Sequence, residues 1–236
     1  MSDEAFFTLH RDLPREGPGT AEDVHWALSV IDRPHYVIDA GCGPGADTET
    51  LAEALPEARI DAVDQVAHFV AEARALTERF GPRVTVRVGD MAALHGPADL
   101  IWCAGAVYFL GLEAALAQWR PVLAPGGAVA FSEAVFLTDP PGRAARDFWA
   151  LYPAMGSEAA LQARIAAAGY RTLASRRIVG PAWSAYYEPL AARIARLRPG
   201  ADAELAAVLD EAESEIALWR AARGDVAYSL CVVTPR

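Results

Sequence analysis

The sequence predicts an α/β fold built on a mostly parallel sheet, and three observations carry that prediction. Apolar, strand-like runs alternate with helical stretches from Tyr36 to Ser132, the pattern of successive βαβ units. The run Val37-Ile38-Asp39-Ala40 leads directly into Gly41-Cys42-Gly43-Pro44-Gly45, which reads as a buried strand ending in a tight turn with a helix behind it. Of 236 residues, 53% are hydrophobic and 22% charged, a globular composition long enough for one α/β domain with a small lid.

Taken in order, residues 1–35 read as an N-terminal cap segment. Leu13-Pro14-Arg15-Glu16-Gly17-Pro18-Gly19 is too rich in Gly and Pro for a helix or central strand. It is either a plain connection or a loop folded over the mouth of a site, with Arg15 or Glu16 inside. Thr20 starts a helix through Ile31, with Asp23 in the capping-box position. Strands are expected at Tyr36–Asp39, Arg59–Asp64, Val84–Val88, Ala98–Cys103 and Ala128–Ser132, the last after a hard stop at Pro125-Gly126-Gly127. Helices between them are expected at Asp47–Leu55, Ala67–Phe80 and Leu112–Leu123. Phe136 to Met155 looks irregular with one short helix. Ser157–Ala168 reads as a helix closed by Gly169. A sixth strand, Tyr170–Val179, is followed by a helix opened by Gly180-Pro181, a second helix over Ala201–Arg223, and a final strand, Tyr228–Val233.

Several function classes are disfavoured at this stage. No apolar run approaches the roughly 20 residues of a membrane span, and Met1-Ser2-Asp3-Glu4 lacks the layout of a signal peptide. Cys42, Cys103 and Cys231 are odd in number and far apart, as expected of a reduced cytoplasmic protein, and no pair has metal-binding spacing. The net charge of -10 provides no footprint for a nucleic-acid backbone. The expected partner is a small molecule, with no nucleic acid and no membrane, and the expected solution state a monomer or homodimer.

Ligands of open α/β sheets bind outside the carboxyl ends of the strands, so the residues there are the candidates. Strand one closes on Asp39 and the glycine turn. Strand two closes on Asp64 with Gln65 beside it, at a spacing expected of an acid that takes ribose hydroxyls. Strand three closes on Asp90 and Met91, strand four on Cys103-Ala104-Gly105 with Tyr108 beyond, and strand five on Glu133. Gly41 to Ala46 also satisfies the G-x-G-x-x-G/A pattern of dinucleotide-binding turns. Yet Asp39 precedes that turn, and three carboxylates around it would repel a pyrophosphate. A cofactor carrying an ammonium or sulfonium group would gain from them.

At this point the chain resembles a known family. Asp39-Ala40-Gly41-Cys42-Gly43-Pro44-Gly45, with Asp64, Gly89-Asp90, Asp99 to Tyr108 and the Leu123 to Gly127 turn, looks like the motif set of class I S-adenosylmethionine (SAM)-dependent methyltransferases. Gly17-Pro18-Gly19 and Asp147-Phe148-Trp149 also look like a mostly uncharacterised bacterial subgroup with small-molecule acceptors. The resemblance implies one methyltransferase domain over 1–236 that is Rossmann-like and doubly wound. Its mostly parallel seven-stranded sheet has helices on both faces and a C-terminal antiparallel strand. Residues 36–133 would be the SAM-binding core, and 134–156 and 180–200 the substrate lid. SAM would be the cofactor, S-adenosylhomocysteine (SAH) the product, and no metal is expected. Asp39, Gly41, Cys42, Gly43 and Gly45 would lie under the methionine part. Asp64 and Gln65 would serve the ribose, Asp90 and Met91 the adenine, and Ala104 would contribute backbone near the methionine end. The subgroup has an acid where this chain has Ala104.

Each candidate also has a plainer role. Asp39 could tie turn amides together, and Glu133 could cap a loop as readily as act as a base. His10 is the one histidine whose segment could fold over the site. Trp149, Tyr152, Trp183, Tyr186 and Tyr187 line a substrate pocket or belong to the core. Methyl transfer is an in-line displacement with an activated leaving group, so holding the acceptor in line and away from water supplies much of the rate. Glu133, Tyr108 and His10 are the candidate bases if the acceptor must lose a proton. Two other functions use the same turn: a SAM-binding sensor without chemistry, and an NAD-linked oxidoreductase.

Overall fold

The computed structural model describes residues 3–236; Met1 and Ser2, part of the acidic start noted above, lie outside it. The sheet order is β3-β2-β1-β4-β5-β8-β7. These strands are β1 (Tyr36–Ala40), β2 (Arg59–Asp64), β3 (Val84–Val88), β4 (Ala98–Cys103), β5 (Leu123–Phe136), β7 (Tyr170–Ile178) and β8 (Val226–Pro235). The two-residue β6 (Gly156–Ser157) pairs with the end of β5. Pairing is parallel from β3 to β5, and β8 runs antiparallel to both β5 and β7. The seven-stranded, mostly parallel architecture with a reversed C-terminal strand is therefore the one expected.

Alternation along the central strands places helices on both faces. Val37, Leu100 and Trp102 belong to one core, with α2 (Ala21–Leu28), α3 (Ala46–Ala54), α8 (Pro181–Leu197) and α9 (Ala203–Ala222) over it. Ile38, Ile101 and Cys103 point to the opposite core, under α5 (Leu112–Trp119) and α7 (Glu158–Ala167). Trp102, Trp119 and Tyr170 are among the largest fully buried side chains; each such burial contributes roughly 1.5–3 kcal/mol. α4 (Ala67–Thr77) covers the outer strands through Val70 and Ala73, which meet Ala62 and Val86.

Three local departures from the expected elements have physical reasons. Pro125-Gly126-Gly127 is not a stop: β5 begins at Leu123 and passes through it. Leu123 pairs with Ala98, and the register shifts before Leu100 pairs with Ala128. An irregular stretch with Gly126 at φ +83° absorbs the turn residues without ending the strand. The cap segment is not only an extension, because Asp3–His10 forms α1 and buries Ala5 and Leu9 in the first core. The helix from Thr20 closes early, at Leu28, although Asp23 accepts the Thr20 N–H as expected (2.9 Å).

Gly45 plays a packing role at this stage. It caps α3 at φ +97°, and a Cβ there would stand 2.8 Å from the Ala73 Cβ of α4. Replacing it with Ala combines left-handed strain with overpacking between two helices. Gly45→Ala is expected to cost about 2–5 kcal/mol, read as a lowered midpoint in urea unfolding; an unchanged midpoint would remove this role.

Candidate functional site

The glycine turn is tied to the neighbouring strand. The N–H groups of Gly41 and Cys42 donate to the Val63 carbonyl (2.8 and 3.1 Å). Asp64 accepts the Gly43 N–H on Oδ2 and the Val66 N–H on Oδ1, both at 2.9 Å. One carboxylate thus joins the turn after β1 to the start of α4. Gly41 has φ +78°, and a Cβ there would lie 2.7 Å from the Ala106 Cβ. Only glycine allows that approach without displacing the segment after β4.

Two cavities open over this turn, of about 420 and 370 Å³, and they share Gly41, Asp64, Val66, Ala106 and Phe109. The smaller is a mainly apolar slot between Val63, Gly89, Met91 and Leu110, with Gln65 at its side. The larger takes in Asp39, Cys42, Gly43 and Ala104, and reaches up to His10, Tyr108 and Tyr186. Asp39 is buried and accepts the Thr48 hydroxyl at 2.5 Å. Burial pushes its carboxyl up to about 8, with the Thr48 bond opposing and the Asp47 and Asp64 charges adding.

The roof comes from the cap segment and the C-terminal helices. Arg15 pairs with Asp47 at 2.5 Å, and Asp47 also accepts the Trp102 indole N–H (3.1 Å). Glu16 meets His10 Nδ1 at 2.6 Å through Oε2, while its Oε1 is buried with no hydrogen-bond partner among the described residues. Burial raises the Glu16 carboxyl, with the His10 bond opposing. Gly17 passes close over Gly105, whose N–H donates to Ser132 Oγ at 2.7 Å. From α8 comes Tyr186 and from α9 Glu215, at the exposed rim. The Gly/Pro loop is thus a cover with both Arg15 and Glu16 facing the cavity.

Several expected site residues lie elsewhere. Glu133 lines neither cavity; it is buried on β5, accepts the Tyr152 hydroxyl and has Arg164 at 3.7 Å. Trp149 turns onto Tyr152 and Tyr228. Trp183 donates its indole N–H to the Ile178 carbonyl (2.9 Å), and Tyr187 bonds Glu215 (2.8 Å) while stacking on Trp219. Trp183 and Tyr187 are buried in the core with Trp219, and of the five aromatics Tyr186 alone lines either of these two cavities. No residue of 134–156 lines either one. Gly45 packs helices, as described. Asp90 is exposed and accepts the Ala92 N–H (2.8 Å) beside the slot. Sequence reasoning missed Asp47, Trp102, Phe109 and Glu215. Trp102 was within reach, since alternation along β4 places it on the Asp39 face; Glu215 carried no signal. Among the described residues no group of three or more His, Cys, Asp or Glu is placed to hold a metal ion, and no helix is long and apolar enough to cross a membrane.

Comparison with known proteins bears on the domain and the fold. Residues 37–127 match the methyltransferase domain family. Over 116 residues the chain is 36% identical to a trans-aconitate 2-methyltransferase of Methylobacterium nodulans, covering 48% of this chain and 43% of that one. The chain spans at most about half the length of the curated relatives it matches. In fold it is similar to a SAM-dependent methyltransferase from Geobacter sulfurreducens crystallised with SAH. The TM-score is 0.87 at 21% identity, over 100% of this chain and 99% of the other. A second such enzyme with SAH, from Thiobacillus denitrificans, gives a TM-score of 0.86 at 18% identity, over 100% and 99%. The matched residues carry the glycine turn and Asp64, so residues 37–127 are a methyltransferase domain by sequence, and the agreement in fold with the two SAH-bound methyltransferases runs the length of the chain.

Proposed function

We propose that the protein transfers a methyl group from SAM to a small-molecule acceptor. The observation that carries this reading is the pair of cavities joined along Gly41 and Asp64, an apolar slot beside a larger acidic chamber. The residues fit the group: a Cβ at Gly41 would close the passage, and the chamber's carboxylates suit a cation. Asp64 would take the ribose hydroxyls, and Gln65, Met91 and Asp90 would flank the adenine. Asp39 and the turn through Cys42 and Gly43 would hold the methionine end, with Ala104 contributing backbone. SAM supplies a methyl carbon on a positively charged sulfur, so the protein need provide no nucleophile. The chain's part is to orient the acceptor and exclude water beneath the cap loop at Arg15–Pro18. Of the candidate bases, Tyr108 and His10 face the chamber. Burial pushes the Tyr108 hydroxyl up to about 12, which leaves His10 for an acceptor that must lose a proton.

Trans-aconitate, which gives the relatives their name, is a polycarboxylate. The chamber is lined by five acidic residues (Glu16, Asp39, Asp47, Asp64 and Glu215), while its one guanidinium, Arg15, is already paired with Asp47 and His10 already meets Glu16. Like charge opposes that acceptor, so we do not carry it over, and it opposes the pyrophosphate of NAD equally. Calorimetric titration with SAM, SAH and NAD tests the cofactor: NAD binding without SAM binding would overturn the proposal. Transfer of label from methyl-labelled SAM into a metabolite extract tests the chemistry, and saturable binding without transfer would identify a sensor.

The buried Asp39 makes a further expectation. A bound cation favours its ionised form, so binding expels a proton while the free carboxyl sits near 8. SAM affinity should therefore rise from pH 6 to about 8, by at most about tenfold per unit for one proton, and level off above. Asp39→Asn should remove the slope, as read by calorimetry across that range; a wild-type affinity flat with pH would exclude Asp39 from the coupling.

A further inference from the structure

We infer that the acceptor carries a protonated amino group on an apolar or aromatic body, received by the rings of Tyr186 and Tyr108 and the carboxylates of Glu215 and Glu16. This rests on the methyl-transfer reading of the chamber. The four side chains line one cavity but enter it from the β4 end, α8, α9 and the cap loop. The Tyr186 hydroxyl is raised by burial and by the nearby charges of Glu215 and Glu16. Phe6, stacked on His10, and Phe109, against Tyr108, line the same cavity. Rings and carboxylates together form the environment that attracts an ammonium group, through the negative ring faces and through charge.

Charge accounting points the same way. SAM brings a sulfonium, an ammonium and one carboxylate, a net charge of about +1; Asp47 is already paired with Arg15 and Glu16 meets His10, whereas Glu215 meets no cation among the described residues. Glu16 retains a buried oxygen with no partner among the described residues, a cost that a donor on the acceptor would relieve. Arg15 offers no counter-charge for an acid because Asp47 holds it at 2.5 Å. Glu215 stands exposed at the rim, where it draws cations toward the mouth.

The test uses the full chain saturated with SAH and three probes that share a phenol ring: tyramine, 4-ethylphenol and 4-hydroxyphenylacetate, with putrescine as an alkyl amine. Tyramine is expected to bind at least about tenfold tighter than either ring analogue, as one ring contact plus one charge-assisted bond supplies. Glu215→Gln, at an exposed position, should reduce that preference severalfold. Glu16→Gln together with Glu215→Gln should abolish it while leaving 4-ethylphenol unchanged. Equal or tighter binding of 4-hydroxyphenylacetate, a preference that survives both substitutions, or no binding by either amine would overturn the inference. Failure of SAH itself to bind would instead overturn the cofactor reading beneath it.

Discussion

Asp64→Ala is expected to weaken SAM binding by about 5–150-fold, the equivalent of about 1–3 kcal/mol for lost charge-assisted hydrogen bonds. The carboxylate has two duties. It holds the Gly43 and Val66 N–H groups at 2.9 Å each, and it stands on the wall shared by the slot and the chamber. Removing it frees two amides and lets the turn after β1 drift from the start of α4. Calorimetry reads the affinity, and thermal unfolding separates a loosened turn from a lost ligand contact. Wild-type affinity in a folded Asp64→Ala protein would take this residue out of the cofactor site.

Gly41→Val should abolish measurable SAM binding, a loss of at least about 100-fold, by closing the shared passage. At φ +78° a β-branched residue is strained by about 1–2 kcal/mol before any contact is made. Its Cβ would then stand 2.7 Å from the Ala106 Cβ and 3.7 Å from Met91 Sδ. Gly43 differs, because a Cβ there meets nothing nearer than Glu16 at 3.9 Å. The expected order of damage is therefore Gly41→Val above Gly43→Val, measured as SAM affinity in proteins whose circular dichroism shows the native fold. Equal affinity in the Gly41 variant and the wild type would mean that the turn is not the floor of the site.

The parallel half of the fold was legible because each strand there is a short apolar run ending in an acid or glycine. Asp39, Asp64 and Val88 close their strands at or within a residue of the expected positions. Asp39 and Asp64, which border the cavities, were legible for the same reason. Tertiary packing hid the rest. Trp183 and Tyr187 sit one turn apart on α8 and gave the same signal as Tyr186, yet the helix turns them inward onto Trp219 and Tyr228. Glu133 ends a buried run as Asp64 does, but β5 continues beyond it to Phe136 and leaves it inside the sheet. Glu215 reaches the chamber because α9 packs on α1 and on the short helix α6 (Arg143–Phe148), contacts between segments about 200 and 70 residues apart that local pattern does not encode.

The reversed strand β8 sets an order of events for the chain as it is made. β7 has a single partner in the sheet, β8, whose first residue comes 48 positions after β7 ends. While synthesis proceeds from Ile178 to Val226, β1 to β5 can already pair, whereas β7 waits with both edges open. The smaller slot is therefore assembled from segments that meet early. The larger cavity is completed only once α9 brings Glu215, and β8, which follows α9 in the chain, then pairs with both β5 and β7 to make one sheet.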